Sequence, residues 1–197
     1  MNNRKYISYD DAQNQKYFEH NYLGTDSIDK TKRTSIKNTI GIALQEGFNK
    51  WAKAGLTAFL SYEYRNFALT DTTNIPGQRI INNYKESSLS IGGELSKKQG
   101  KLLHYNILGE LAIAGEDAGQ FSVEGRGDLN LRLFGDTVRL DVNAFIKNQN
   151  PVFYFRHFQS KHYWWDNNDL SKIMRTRLEG KLSLDRWGTQ LRAGVKI

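Results

Sequence analysis

Side chains able to carry out acid–base or metal chemistry are concentrated in one aromatic stretch, residues 150–169 (NPVFYFRHFQSKHYWWDNND). His157 and His162 lie five residues apart, and Asp166 follows four residues after the second histidine. Imidazole and carboxylate groups are common metal ligands and general acid–base catalysts. Because this spacing matches no standard ligand motif, we predict no metal site and no cofactor.

The same loop also contains the residue types of a nucleophilic triad, with Ser160 as nucleophile, His162 as base and Asp166 as the orienting acid. Such a triad is defined by geometry in space, and closeness along one loop does not supply it. The G-R-G sequence at residues 125–127 lacks the third glycine and the following helix of a dinucleotide site. The chain has no Cys, which excludes cysteine catalysis and zinc–thiolate sites. We therefore predict that the protein is not an enzyme.

The elements that would position this loop are long strands with strict alternation of apolar and polar residues. In MRTRLEGKLSLD, residues 174–185, one face is Met, Thr, Leu, Gly, Leu, Leu and the other is Arg, Arg, Glu, Lys, Ser, Asp. Period-2 matching predicts eight such strands, at residues 36–45, 51–68, 84–97, 101–116, 121–133, 138–147, 174–185 and 190–197. Most cover ten or more residues, whereas globular strands average about five or six and a tilted membrane strand needs about 9 to 11.

The connections between the predicted strands differ in length at the two ends of the sheet. Short turns rich in Gly, Asp, Asn and Lys fall at residues 46–50, 97–101, 135–137 and 185–189. Longer loops fall at residues 69–83 and 148–169, and only 115–120 is short on that side. This segregation is typical of outer-membrane barrels, although a lipocalin-like barrel can show it as well.

Aromatic residues provide a third indication, because Trp and Tyr prefer the two membrane interfaces. Such residues stand near the ends of predicted strands: Trp51, Tyr62, Tyr64, Tyr84 and Trp187. The middles of the apolar faces carry Leu, Ile, Val, Ala and Gly instead, which suits contact with lipid.

The charged faces would then line a hydrated interior. The candidate lumen-lining charges are Glu124, Arg126, Asp128, Arg132, Arg139, Asp141, Arg175, Arg177, Glu179, Lys181 and Arg192. In a narrow barrel these side chains would form a salt-bridged plug, and in a wider one a transverse field with a mild anion preference. The net charge of +7 does not indicate nucleic acid as a partner, because the basic residues are spread among acids.

Residues 1–34 are predicted to form a loop-like N-terminal segment, and residues 35–197 the strands of an antiparallel up-and-down meander. A transmembrane barrel has to pair its first and last strands. We expect either a closed eight-stranded barrel or a fragment of a larger one, and the absence of a signal peptide and of a terminal aromatic favours the fragment.

The aromatic loop and the long strands together resemble the putative porin family of Bacteroidetes outer membranes. The resemblance rests on a proline followed by a Ser-x-His-aromatic-aromatic-Trp-Asp-Asn element: Pro151, Ser160, His162, Tyr163, Trp164 or Trp165, Asp166 and Asn167. It implies passive outer-membrane transport and assigns no catalytic residue. Pro151, His157, His162, Trp164, Trp165 and Asp166 are predicted to lie at the barrel mouth.

The sequence therefore predicts an all-β outer-membrane barrel of porin type, which contacts lipid and lets small polar solutes diffuse passively. Two alternatives remain open. One is a soluble antiparallel barrel that binds an apolar ligand inside, with the charged face in water. The other is a small outer-membrane barrel with an enzymatic or adhesive rim.

Overall fold

The computed structural model describes residues 2–5, 28–48, 53–69, 83–133, 136–184 and 186–197. The described strands are β1 (Asn2–Lys5), β2 (Ile28–Leu44), β3 (Gly55–Ala68), β4 (Asn83–Lys97), β5 (Leu103–Gly115), β6 (Phe121–Leu133), β7 (Asp136–Gln149), β8 (His157–Gln159), β9 (Trp164–Asp166), β10 (Ile173–Leu184) and β11 (Thr189–Lys196). A single helical turn, α1 (Phe153–Arg156), precedes β8. No helix in the described part of the chain is long and apolar enough to cross a membrane.

Nine of these strands form one sheet in the order β1-β2-β3-β4-β5-β6-β7-β10-β11, and every described strand pair in it is antiparallel. The sheet is not closed among the described residues, because β1 and β11 are its edges. Leu182 lies opposite Leu140 on one side and Leu191 on the other, so the apolar residues form rows across neighbouring strands. The predicted all-β meander and its eight long strands are confirmed.

Alternation gave no signal for three strands, β1, β8 and β9, or for the first part of β2. β2 begins at Ile28, inside the segment predicted to be a loop, because residues 28–34 (IDKTKRT) are polar on both faces after the first isoleucine. β1 pairs with this polar part of β2. β8 and β9 form a separate two-stranded hairpin within the aromatic loop, and strands of three residues are too short for a period to be read.

The burial of side chains is inverted relative to a soluble sheet. In β2, Ile40 and Ile42 are 78% and 76% exposed. In β3, Leu56 and Leu60 are exposed, whereas Ser61 on the opposite face is buried. Because neighbouring positions of a strand point to opposite faces, the apolar face of β3 is the exposed one and its polar face is the covered one. In β2 the side chains of both faces are exposed from residue 32 to residue 44.

Glycine on the covered face makes room for an aromatic ring. A Cβ added at Gly92 would lie 2.2 Å from Cζ of Phe59 and 2.7 Å from the backbone oxygen of Gly109. Gly125, by contrast, has no atom within 4 Å of such a Cβ. The Phe59 ring therefore occupies the space that a side chain at Gly92 would need.

The chain divides into two compact units. The first comprises Met1–Lys37, Glu63–Ser87 and Pro151–Ser171, and the second comprises Asn38–Tyr62, Ser88–Asn150 and Lys172–Ile197. The apolar centre of the first unit is formed by Phe67, Leu69 and Phe153. The rings of Phe67 and Phe153 are stacked with centroids 3.8 Å apart.

Candidate functional site

The predicted lumen-lining charges all lie on one face of the sheet in the second unit. Register shows this directly: Asp128 is opposite Asp141, Asp141 is opposite Lys181, and Lys181 is opposite Arg192. Arg126 and Glu179 face each other across Asn143 in the next row. The remaining predicted residues share the parity of these positions in their strands: Glu124, Arg132, Arg139, Arg175 and Arg177.

Several of these charges are held by near neighbours. Glu179 forms ion pairs with both Arg177 and Arg192. Glu124 pairs with Lys147. Most of these side chains are partly exposed, so the pairs contribute little to stability and mainly fix the positions of the charged groups.

His104 belongs to this face but was not among the predicted site residues. Its Nδ1 lies 2.8 Å from Oδ2 of Asp128, and its Nε2 lies 2.9 Å from the backbone oxygen of Gly100. The alternation of β5 places His104 on the polar face, but only the register brings it beside Asp128. The sequence therefore indicates the face on which His104 lies, but it does not identify Asp128 as its partner.

A concavity of about 540 Å³ opens on the same face. Its wall includes Asp128, Asp141, Arg126, Lys181 and Arg192, contributed by four of the strands. The volume lies within the range of about 300–1,000 Å³ that is usual for small-molecule sites.

The aromatic loop has its own structure in the first unit, where β8 and β9 form a hairpin around Ser160. The Ser160 hydroxyl donates to the backbone oxygen of Tyr163 at 3.1 Å and accepts from the backbone N–H of Tyr163 at 2.9 Å. It also accepts from the backbone N–H of His162 at 3.3 Å. Because Ser160 is fully buried and its hydroxyl is engaged in the turn, it serves a structural role.

The two histidines of the loop have different surroundings. Nδ1 of His157 lies 2.5 Å from Oδ1 of Asp166, across the β8–β9 hairpin. His162 is buried in the turn itself. The structure therefore does not form the triad of Ser160, His162 and Asp166 considered from the sequence, because Asp166 pairs with His157 instead.

Aromatic contacts and backbone hydrogen bonds complete the hairpin. The Trp165 ring stacks on Phe158 at 4.6 Å, and its indole Nε1 donates to the backbone oxygen of Tyr154 at 3.0 Å. Trp164 lies opposite Gln159 in the register. The backbone oxygen of Pro151 accepts from Nε of Arg156 at 3.3 Å. The position of these residues at a barrel mouth stays a prediction.

Tyr84, one of the predicted interfacial aromatics, lies at the start of β4. Its ring stacks on His157 at 4.7 Å and meets Phe153 edge-on at 5.4 Å, so it packs against the loop. Trp187 is exposed, and Trp51 lies outside the described residues. The interfacial position of these aromatic residues stays a prediction.

A buried ion network, absent from the sequence prediction, holds the loop to the strands of the first unit. The Glu86 carboxylate accepts from Nη2 of Arg156 at 2.6 Å and pairs with Nη2 of Arg65 at 3.1 Å. The Asp29 carboxylate accepts from the backbone N–H of Lys161 at 3.0 Å. These partners are far apart in the chain, so no local pattern could have paired them.

Among the residues that the structure describes, no group of three or more His, Cys, Asp and Glu side chains is placed to hold a metal ion. The arrangement that remains is a long antiparallel sheet with an exposed apolar face, a charged opposite face and a folded loop. These features define a porin-like β-sheet protein.

Comparison with known protein families supports this assignment to a class. The model of the family described as "Putative porin" matches residues 1–197, and the chain belongs to this family. No curated protein and no solved structure matches the chain.

Proposed function

We propose that this protein is an outer-membrane porin through which small polar solutes diffuse passively. The observation that carries the proposal is the inverted burial, with Ile40 and Ile42 exposed and Ser61 covered. Burying a side chain such as isoleucine in hydrocarbon is favourable by about 1.5–3 kcal/mol, whereas leaving it in water forgoes that gain. Membership of the porin family supports the same function.

The polar face supplies the hydrated wall that such a protein needs. Charged side chains from β6, β7, β10 and β11 share this face, and several remain partly exposed beside the concavity. Charged groups along a water-filled path set its selectivity without any chemical step. No catalytic residue is required.

The soluble-barrel alternative is not favoured by the burial of the side chains. A soluble sheet would bury its isoleucines and leucines and expose its serines and charges. Here Ser61, Ser88 and Ser183 are buried, whereas Leu178 and Leu191 are exposed.

Swelling of proteoliposomes tests the function. The purified protein is reconstituted into vesicles, which are diluted into an isosmotic solution of a small neutral sugar. We expect the vesicles to swell faster than protein-free vesicles, because the sugar enters and water follows. Swelling no faster than in the protein-free control would overturn the proposed function.

Spin labels on neighbouring residues of β2 test the orientation in the membrane. A label at Ile42 should be accessible to dissolved oxygen and shielded from a water-soluble nickel reagent. A label at Ala43, the next residue and hence on the opposite face, is the matched control and should be accessible to nickel. Nickel access at both positions would contradict lipid contact.

A further inference from the structure

Charges on the polar face of the second unit are sorted between two groups of strands. On β10 and β11 this face carries five basic side chains and one acid: Arg175, Arg177, Lys181, Arg192, Lys196 and Glu179. On β4 to β7 it carries five carboxylates and four Arg or Lys side chains: Glu94, Glu110, Glu124, Asp128, Asp141, Arg126, Arg132, Arg139 and Lys147. One side of the face is therefore strongly basic, and the other is balanced with a slight acidic excess.

The concavity spans the boundary between these two groups. Its wall takes Asp128 and Asp141 from β6 and β7, and Lys181 and Arg192 from β10 and β11. Since Asp141 lies directly opposite Lys181, the boundary runs between these two residues. Arg126, Lys97 and Lys98 also line the wall on the side of β4 to β7, and Glu179 lines it on β10. A solute in the concavity therefore meets both signs of charge, with Asp141 and Lys181 adjacent at the boundary.

Three of the wall charges keep their binding capacity for a solute. Within the part of the chain that the structure describes, Arg126, Lys181 and Asp141 form no side-chain hydrogen bond or ion pair; Lys181 and Asp141 are half-buried, and Arg126 is exposed. The basic groups Arg177 and Arg192 are instead engaged by Glu179. Partly desolvated charges without a partner gain more from a ligand of opposite sign than fully solvated ones do.

Two carboxylates on this wall also repel each other. Asp128 and Asp141 are directly opposite on β6 and β7, a position in which like charges are destabilising. Of the two carboxylates, only Asp128 is contacted by His104, and it also accepts from the side-chain amide of Asn130 at 3.1 Å. An ammonium group placed beside Asp141 would relieve this repulsion.

We propose that the concavity binds zwitterionic solutes, namely free amino acids and short peptides. The solute carboxylate is held by Lys181 and its ammonium group by Asp141, the two charged residues that lie opposite each other at the boundary. This inference rests on the proposed function and adds the class of solute that the site prefers. A zwitterion satisfies both sides at once, whereas a simple anion leaves the carboxylates unmatched.

Glycine and glycolamide, which are isomers, provide the matched pair of solutes for the test. Both have the same atoms, but only glycine is a zwitterion at neutral pH. In proteoliposome swelling we expect glycine to enter about tenfold faster than glycolamide, the lower end of the effect of focusing by fixed charges. The variants Lys181→Gln and Asp141→Asn should each bring this ratio close to one.

Lys172→Gln is the control variant, because Lys172 is an exposed lysine of the same unit outside the concavity. It should keep the wild-type ratio. Equal entry of glycine and glycolamide into wild-type vesicles would overturn the inference and leave the proposed function intact. Faster entry of acetate than of glycine would likewise overturn it, since that result indicates a plain anion site. Entry of no solute would overturn the proposed function and this inference with it.

Discussion

Neutralising Glu86 should release the aromatic loop from the strands of the first unit. Its carboxylate joins the guanidinium groups of Arg156 and Arg65, at 2.6 and 3.1 Å. Glu86 is 7% exposed, and both arginine side chains are also largely covered. In Glu86→Gln the two buried guanidinium groups would lose the carboxylate that joins them.

The expected magnitude follows from the cost of breaking a buried ion pair by removing one partner, about 3–5 kcal/mol. Because each 1.4 kcal/mol corresponds to a factor of ten, the open population of the loop should rise by roughly 100- to 3,000-fold. The substitution keeps the size of the side chain, so the change is one of charge.

Limited trypsin digestion measures this opening. Arg156 and Lys161 are cleavage sites within the loop, and both are buried, so cleavage there requires the loop to open. When opening and closing are fast relative to cleavage, the cleavage rate follows the open population. The loop fragments should therefore appear faster in Glu86→Gln by the factor given above.

Glu63→Gln is the matched control. Glu63 lies in the same unit, accepts from the Ser35 hydroxyl at 2.6 Å and pairs loosely with the exposed Arg33 at 3.9 Å. Removing such an exposed pair costs about 0–1 kcal/mol, so cleavage should rise no more than about fivefold. If Glu86→Gln is cleaved no faster than this control, with strand content by circular dichroism equal in both, then the ion network does not hold the loop.

Three further substitutions are expected to have measurable effects. Gly92→Ala should lower the free energy of unfolding in guanidinium by about 1–3 kcal/mol, because the new Cβ would collide with the Phe59 ring and with backbone. Ser160→Ala should cost the loop about 1–3 kcal/mol and accelerate tryptic cleavage after Lys161, because the backbone groups of the turn lose their buried hydroxyl partner. Ile42→Arg should destabilise the folded protein in vesicles by about 2–4 kcal/mol, measured by denaturant unfolding, because it places a charge on the face proposed to contact lipid.

Each of these substitutions has a control on the same chain. Gly125→Ala introduces a Cβ into open space and should change the unfolding free energy little. Ser171→Ala alters an exposed serine and should leave tryptic cleavage unchanged. Ala43→Arg places the same charge on the opposite face of β2, where it remains hydrated. A substitution that has no larger effect than its control would refute the contact assigned to that position.

The sequence by itself determined the strands and their faces. Alternation such as that of residues 174–185 is local, since neighbouring positions of a strand point to opposite faces. It therefore predicted that Arg175, Arg177, Glu179 and Lys181 share one face, and the register confirms this. It could not detect β1 or the first part of β2, where both faces are polar and only pairing between strands creates the structure.

Only the tertiary structure decided which charges meet. Asp141 faces Lys181, and Glu86 joins Arg65 to Arg156, through register and packing between positions that are distant in the chain. Asp166 pairs with His157 rather than His162 because the hairpin turn at Ser160 sets the register of β8 against β9. Periodicity along the chain fixes the face of a residue, but its partner depends on the alignment of strands, which a local pattern does not encode.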